Sequence, residues 1–150
     1  MIVLGLDTSS YSTGYAVMEN KKILSYGTIK PAKKLDLFDR IIFIEKEIIK
    51  NKKIEYIIIE ELAMTRNMKV VKALVGLQYH LLLEFRKKEM LVLELRPNEW
   101  RKPLEIKGKK REELKQNAIE WVTNNYNLKV NDDEAEAICI AYYNNFVEME

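Results

Sequence analysis

The segment Ile2-Val3-Leu4-Gly5-Leu6-Asp7 is apolar on both faces and ends at a carboxylate. A short apolar run of this kind is typical of a strand in the middle of a sheet. Two further strand-like segments, Gly14–Met18 and Ile23–Ile29, follow it and are separated by polar turns. The N-terminal region is therefore predicted to form a three-stranded antiparallel meander.

Helical and strand patterns alternate along the rest of the chain. Residues 34–51 carry apolar side chains at helical spacing, which predicts an amphipathic helix that crosses the sheet. Tyr56-Ile57-Ile58-Ile59 stops at Glu60-Glu61 and is predicted to lie parallel to the first strand. A fifth strand and two closing helices are expected at Met90–Leu95, Glu112–Asn125 and Asp133–Phe146.

These elements predict an α/β fold in a single domain over residues 1–150. Its five-stranded mixed sheet would join the antiparallel meander to two parallel strands and would be flanked by helices. The longest helical pattern, from about Met68 to Lys88, is apolar on more than one side. We expect one side to pack on the sheet and the other to meet a partner subunit around Gly76, while His80 is interpreted as a structural histidine.

Composition excludes several classes of protein. The 150 residues are 47% hydrophobic and 32% charged, with one cysteine, Cys139, so neither a disordered chain nor a disulfide scaffold is expected. No apolar run reaches the length of a membrane helix, which predicts a soluble cytoplasmic protein with no membrane partner. The GxGxxG, P-loop and GxSxG motifs are missing from the sequence. The net charge of +2 is too small to indicate a nucleic-acid partner by itself.

Four carboxylates fall where this fold would bring them together, namely Asp7, Glu60, Asp133 and Glu136. The first two end neighbouring parallel strands, and functional groups gather at that edge of an α/β sheet. A cage of carboxylates needs cations, and oxygen ligands favour Mg²⁺, with Mn²⁺ as a substitute. Two such ions could support phosphodiester hydrolysis. Asp132 also shares a helix face with Glu136, so the choice between Asp132 and Asp133 stays open.

A basic run follows the fifth predicted strand, just after Trp100, and consists of Lys102, Lys107, Lys109, Lys110, Arg111 and Lys115. Clustered cations neutralise phosphates and give nucleic-acid affinity that depends on salt. The alternative is a solvated loop and helix face, because three glutamates dilute the charge. Arg66, close after Glu60, is a second candidate phosphate contact.

At these residues the chain resembles the RuvC family of Holliday junction resolvases, in the ribonuclease H-like superfamily. Leu4-Gly5-Leu6-Asp7 and Thr13-Gly14-Tyr15-Ala16 are similar to the opening motif of the family. Ile58-Ile59-Glu60-Glu61 is similar to its second acidic motif, and the segment from Asp133 to Ala141 resembles its final helix. The resemblance spans nearly the whole chain, and the order of the motifs makes it specific.

The resemblance implies a homodimer that binds branched DNA and cuts four-way junctions in recombination and repair. Asp7, Glu60, Asp133 and Glu136 would be the catalytic metal ligands, and the basic run would hold DNA, with Lys110 or Arg111 at the position of a family lysine. The chain departs from bacterial members at Thr8-Ser9, at Glu136 and at Ala63, where they often carry a stacking aromatic residue. The short, lysine-rich chain would suit a phage-encoded relative.

Three alternatives remain open at the level of sequence. The chain could be a less selective nuclease of the same fold that cuts flaps or forks. It could instead bind junctions without cutting them, which predicts binding that does not depend on Mg²⁺. Leu6-Asp7-Thr8-Ser9 also resembles the opening strand of actin-like ATPases, but those require glycine-rich phosphate loops that this sequence lacks.

Overall fold

The computed structural model describes residues 1–50, 53–62 and 65–147. Within this part of the chain, strands and helices follow the predicted order. The strands are β1 (Ile2–Asp7), β2 (Thr13–Glu19), β3 (Lys22–Ile29), β4 (Tyr56–Glu60) and β5 (Leu91–Leu95). The helices are α1 (Leu37–Ile49), α2 (Met68–Lys87), α3 (Pro97–Arg101), α4 (Arg111–Tyr126), α5 (Asp132–Tyr142) and α6 (Asn144–Val147).

The strands form one mixed sheet in the order β3-β2-β1-β4-β5. β1 pairs antiparallel with β2 and parallel with β4, while β5 continues the parallel half. The predicted fold class is therefore confirmed, including the antiparallel meander and the two parallel strands. Since β1 and β4 are parallel neighbours, Asp7 and Glu60 end at the same edge of the sheet.

Alternate residues of the central strands pack into two separate hydrophobic cores, one on each face of the sheet. Val3 and Ile58 face one side, where α3, α4 and α5 pack. Leu4 and Ile57 face the other side, where α1 and α2 pack. The central strands are apolar on both faces because helices cover both faces and shield them from water. This explains the unbroken apolar runs in the sequence.

α5 is the most deeply buried helix, and it approaches the sheet unusually closely. Its residues from Ala135 to Ala141 are all buried. A side chain at Gly5 would overlap the backbone of Ala137 and Ala141, and one at Gly14 would overlap the backbone of Asp133. Glycine at these two strand positions therefore lets the backbone of α5 lie against the sheet.

α2 buries one side only within this chain. Leu77, Leu81 and Phe85 are buried against the sheet, whereas Tyr79 and Leu83 on the outer side are exposed. The predicted burial of the inner side is thus observed. Gly76 lies in ordinary contact with Ile41 of α1, and its surroundings do not require a glycine.

The boundaries of several elements differ from the prediction. α1 begins later than residue 34 because Asp36 caps it by accepting a hydrogen bond from the backbone of Asp39. The final helix, predicted over Asp133–Phe146, ends at Tyr142 and is followed by the separate short helix α6. The sequence analysis also missed α3, which begins at Pro97, a residue that suits the first turn of a helix.

Candidate active site

Three carboxylates converge at the edge of the sheet where β1 and β4 end. Asp7 is the last residue of β1, Glu60 is the last of β4, and Glu136 projects from the first turns of α5. One carboxylate oxygen from each lies within 4.8 Å of the other two. The close approach of α5 over Gly5 and Gly14 is what brings Glu136 to the ends of the strands.

Asp7 is the centre of this electrostatic cluster. Burial raises the pKa of its carboxyl group well above the ordinary value, and the neighbouring carboxylates Glu136 and Glu60 raise it further. Asp133 contributes in the same direction. Like charges held this close in a buried site are unfavourable unless protons or cations compensate them.

Glu60 is held by two residues that sequence reasoning did not connect with it. The indole N–H of Trp100 donates to the Oε2 atom of Glu60 at 2.6 Å, and the Nε2 amide of Gln78 donates to its backbone carbonyl at 2.6 Å. Burial raises the pKa of Glu60 to about 6, although the bond from Trp100 opposes the shift. Trp100 and Gln78 thereby fix both the carboxylate and the end of β4.

Asp133 and Asp132 have different surroundings. Asp133 accepts a 2.5 Å hydrogen bond from the hydroxyl of Ser12 and lines the cavity at the site without joining the close cluster. Asp132 forms an ion pair with Lys115 at 2.8 Å, which lowers the pKa of Asp132. Of the four predicted ligands, the structure brings three together and places Asp133 beside them.

Arg101 is a cationic group of the site that the sequence analysis omitted. Its Nη2 atom lies 3.7 Å from the Oε1 atom of Glu136, and its buried Nε atom has no hydrogen-bond partner in the described chain. The basic run was predicted to begin one residue later, at Lys102. The available signal in the sequence was the position of Arg101 directly after the apolar Trp100. Both residues turn inward on α3, whereas Lys102 is exposed.

The predicted DNA-binding residues divide into three groups. Arg111 and Lys115 line the same cavity of about 730 Å³ as the carboxylates. Lys102 and Lys107 line an adjacent cavity of about 400 Å³, to which Arg101 also contributes. The remaining three, which are exposed and line neither cavity, are Lys109, Lys110 and Arg66. Arg111, rather than Lys110, therefore faces the carboxylates.

Comparison with known families identifies the chain. A family model described as crossover junction endodeoxyribonuclease RuvC matches residues 3–143. The chain belongs to the RuvC family. This membership confirms the predicted resemblance and the predicted class of function, a nuclease that resolves DNA junctions. No curated protein sequence matches the chain significantly.

Solved structures share the RuvC fold with this chain. Thermus thermophilus RuvC in complex with Holliday junction substrate has a TM-score of 0.81 at 17% identity and covers 99% of this chain and 96% of its own. The yeast mitochondrial Holliday junction resolvase Ydc2 has a TM-score of 0.67 at 14% identity, covering 94% and 76%. Fowlpox virus resolvase with its substrate Holliday junction DNA has a TM-score of 0.65 at 15% identity, covering 100% of both chains.

Other residues considered in the sequence analysis have structural surroundings. His80 pairs with Glu45 of α1 at 2.9 Å, in keeping with a structural histidine. Cys139 is packed in the core, and burial raises the pKa of its thiol. Ala63, the position of the aromatic residue in bacterial relatives, lies outside the described residues. Within the described part, no helix is both long and apolar enough to cross a membrane.

Proposed function

We propose that this chain hydrolyses DNA phosphodiester bonds at four-way junctions in recombination, using the carboxylates of Asp7, Glu60, Asp133 and Glu136. The observation that carries the proposal is the convergence of Asp7, Glu60 and Glu136 within 4.8 Å at the edge of the sheet in a RuvC-family chain. Buried acidic groups at such mutual distances are costly for folding alone, which favours a functional role.

The donor set suits divalent cations with hard oxygen preferences. The three clustered carboxylates would hold a first Mg²⁺, and Asp133, beside them, would complete the ligands for a second; Mn²⁺ could substitute. Ions in such a site activate water and stabilise the leaving oxygen. The raised pKa values of Asp7 and Glu60 support this assignment, because a bound cation would offset both the burial, which is the main cause of the raised values, and the repulsion between the carboxylates.

Positive side chains around the carboxylates would hold the DNA backbone. Arg101 and Arg111 lie close enough to the site to lower the pKa of Glu60, and both line its cavity. A phosphate entering this cavity would therefore meet guanidinium groups and carboxylates together. Lys115, which lines the same cavity, and the outer positions Lys102, Lys107, Lys109, Lys110 and Arg66 would contact more distant phosphates. Such contacts supply affinity without reading sequence, so shape would select the branch.

The outer side of α2 supports a homodimer. Tyr79 and Leu83 are exposed on the helix that carries Gly76, and Phe38 of the adjacent α1 is exposed as well. A two-fold interface on this face would bury these side chains and place two active sites on a junction that has two-fold symmetry itself. Paired cuts in opposite strands would follow from that arrangement.

The decisive test compares Mg²⁺ with EDTA on a labelled synthetic four-way junction and a matched linear duplex. The unmodified chain should make paired nicks in the junction only, and only with Mg²⁺. Glu60→Gln keeps the size of the side chain but removes the charge, so cleavage should fall by more than the roughly 10- to 100-fold that follows the loss of a residue supporting a metal ligand. Glu61→Gln, an exposed neighbour outside the cluster, is the control and should remain active.

The remaining outcomes separate the alternatives. Cutting of duplex, flap and fork as readily as the junction would identify a less selective nuclease. Tight junction binding with no cutting in Mg²⁺ or Mn²⁺ would identify a binding protein. Full activity of Glu60→Gln with unchanged Mg²⁺ dependence would remove Glu60 from the metal site.

A further inference from the structure

Ser12 lies in the loop between β1 and β2 and lines the cavity of the carboxylates. Its hydroxyl donates to the Oδ2 atom of Asp133 at 2.5 Å, a contact between residues 121 positions apart. The other carboxylate oxygen of Asp133, Oδ1, accepts no hydrogen bond from the described part of the chain. Ser12 therefore holds one oxygen of this carboxylate and leaves the second one for a ligand.

The fold determines where the hydroxyl of Ser12 lies. A side chain at Gly14 would overlap the backbone carbonyl of Asp133, so β2 and the first turn of α5 are in direct contact there. Thr13, directly before Gly14, is fully buried, and its hydroxyl donates to the carbonyl of Ser9 at 2.6 Å and accepts from the Ser9 amide at 3.2 Å. These bonds join the two ends of the loop segment that carries Ser12.

The neighbouring residue Asp132 has a partner of a different kind. It forms an ion pair with Lys115 at 2.8 Å, so its charge is compensated within the chain. The partner of Asp133 is a neutral hydroxyl, which orients the carboxylate by a hydrogen bond and leaves its negative charge in place. Carboxylates that bind metal ions are commonly held by hydrogen bonds in this way.

Folding alone does not explain a carboxylate at position 133. An amide would accept the same hydrogen bond from Ser12 without adding a negative charge to a cavity that three other carboxylates already line. Like charges at close range are unfavourable unless cations compensate them. A carboxylate that is oriented but still charged is therefore better explained as a ligand for a cation.

We infer that Ser12 is a positioning residue for Asp133, holding Oδ2 so that Oδ1 can bind the second divalent cation of the site. The inference rests on the proposed function, in which Asp133 completes the ligands of that ion. Ser12 acts through Asp133 and need not touch the metal or the DNA itself. The ion is of the hard, oxygen-preferring class, Mg²⁺ or Mn²⁺.

Binding of Mn²⁺ to the free chain, followed by the electron paramagnetic resonance signal of the unbound ion, tests the inference without cleavage. The unmodified chain should bind two ions, and Asp133→Asn should lose one of them. Loss of a group that supports a metal ligand typically weakens affinity by roughly 10- to 100-fold. Ser12→Ala should therefore weaken the ion that depends on Asp133 within that range and leave the other unchanged.

Three further variants show whether the hydroxyl acts through Asp133. Ser12→Thr keeps a hydroxyl and should bind both ions as the unmodified chain does. Ser25→Ala removes a serine hydroxyl from β3, outside this cavity, and should have no effect. When Ser12→Ala is added to Asp133→Asn, no further loss is expected, because the group that Ser12 positions is already gone.

The Mg²⁺ dependence of single-turnover junction cleavage gives a second readout. Ser12→Ala should require roughly 10- to 100-fold more Mg²⁺ for its half-maximal rate and should approach the unmodified rate when Mg²⁺ saturates the site. A serine that only stabilises the loop would not shift the Mg²⁺ requirement. An unshifted requirement would therefore contradict the inference.

Other results would also overturn the inference. These are unchanged Mn²⁺ binding in Ser12→Ala, an equal loss in Ser12→Thr, or a further loss when Ser12→Ala is added to Asp133→Asn. If the unmodified chain still binds two ions and cuts junctions, only the positioning role is wrong. If the unmodified chain neither binds Mn²⁺ nor cuts junctions, the proposed function itself is wrong, and the role of Ser12 falls with it.

Discussion

α5 and α2 pack on opposite faces of the same sheet and differ in how much of their apolar surface the chain itself covers. α5 is buried along most of its length and lies against the backbone of β1 and β2 over Gly5 and Gly14. α2 leaves Tyr79 and Leu83 exposed. On the closed face, where α5 packs, Glu136 is held close to Asp7 and Glu60, whereas the open face, which is the outer side of α2, is not covered by the described part of the chain.

The difference matters because the proposed function gives the two faces different tasks, metal binding on the closed face and subunit assembly on the open face. A metal site tolerates displacements of only a few tenths of an ångström. A helix that lies directly on the backbone of the strands provides that precision. An interface between subunits can form after folding and needs exposed apolar groups beforehand. Gln78 links the two regions, since it lies on α2 and donates to the backbone of Glu60.

The largest expected effect is on the closed face. Gly5→Ala places a methyl group in the backbone of α5, so the free energy of unfolding should fall by at least about 2 kcal/mol and cleavage should decline as Glu136 moves. Gly76→Ala on α2 is the matched control, because its methyl group would have only Ile41 nearby, at 3.6 Å. It should be neutral or stabilise the protomer by up to about 1 kcal/mol. Urea unfolding measures both, and equal losses would contradict the contrast between the faces.

Substitutions on the open face should change the assembly of subunits and leave the folding of the protomer unchanged. The double substitution Tyr79→Glu and Leu83→Glu puts charges on exposed positions of α2, so the protomer should stay folded. If this face forms the dimer, the dissociation constant should rise by roughly 100-fold or more, as for central interface residues. Sedimentation equilibrium measures it, with Leu24→Glu on β3 as the control. An unchanged dimer would place the interface elsewhere.

Substitution of Gln78 should have an effect of intermediate size, because this residue of α2 supports Glu60 at the carboxylate cluster. Gln78→Met leaves the carbonyl of Glu60 without its donor, which costs about 1–3 kcal/mol for a buried acceptor. Cleavage of the junction should slow by roughly 10-fold, equivalent to one such hydrogen bond. Junction binding in EDTA should not change, because Gln78 has no DNA-facing charge. Gln116→Met, exposed on α4, is the control, and full activity of Gln78→Met would remove the link.

The contrast between the faces also explains which features could be predicted from the sequence. β1, β4 and α5 are apolar runs that end or begin at carboxylates, so local pattern was enough to locate Asp7, Glu60 and Glu136. The contacts of Trp100 and Gln78 with Glu60 join residues 40 and 18 positions apart. No local periodicity reports such pairs, because they depend on how α3 and α2 dock on the finished sheet.

The position of Asp133 was left open for a related reason. Asn131 caps α5, and this fixes the helical register so that Asp132 meets Lys115 while Asp133 turns toward Ser12. Three consecutive acidic residues in the first turn gave no preference in the sequence, since each suits the positive end of a helix. Only the location of α4 and of the β1–β2 loop distinguishes them.

The stability of Glu60→Gln should change in the opposite direction to its activity: the variant loses cleavage and gains stability. The pKa of Glu60 in the folded chain, about 6, lies above its ordinary value of 4.5. A raised carboxyl pKa gives stability that is fully present below the ordinary value and is lost as pH rises through the folded value. Glu60→Gln removes this loss while its amide oxygen can still accept from Trp100. In EDTA at pH 8 the variant should therefore melt roughly 4–8 °C higher than the unmodified chain.

Two measurements isolate the cause of that gain. The difference in Tm should nearly vanish at pH 4, where Glu60 is protonated in the unmodified chain and carries no penalty. Added Mg²⁺ should raise the Tm of the unmodified chain more than that of Glu60→Gln, because the stabilisation by a ligand of the folded state grows with the logarithm of its affinity. A gain that persists at pH 4 would have to come from packing. A gain that disappears at pH 4 would mean that the charge of Glu60 destabilises the unmodified chain when no metal is bound. Such a cost in stability is expected where carboxylates are held together in order to bind a metal ion.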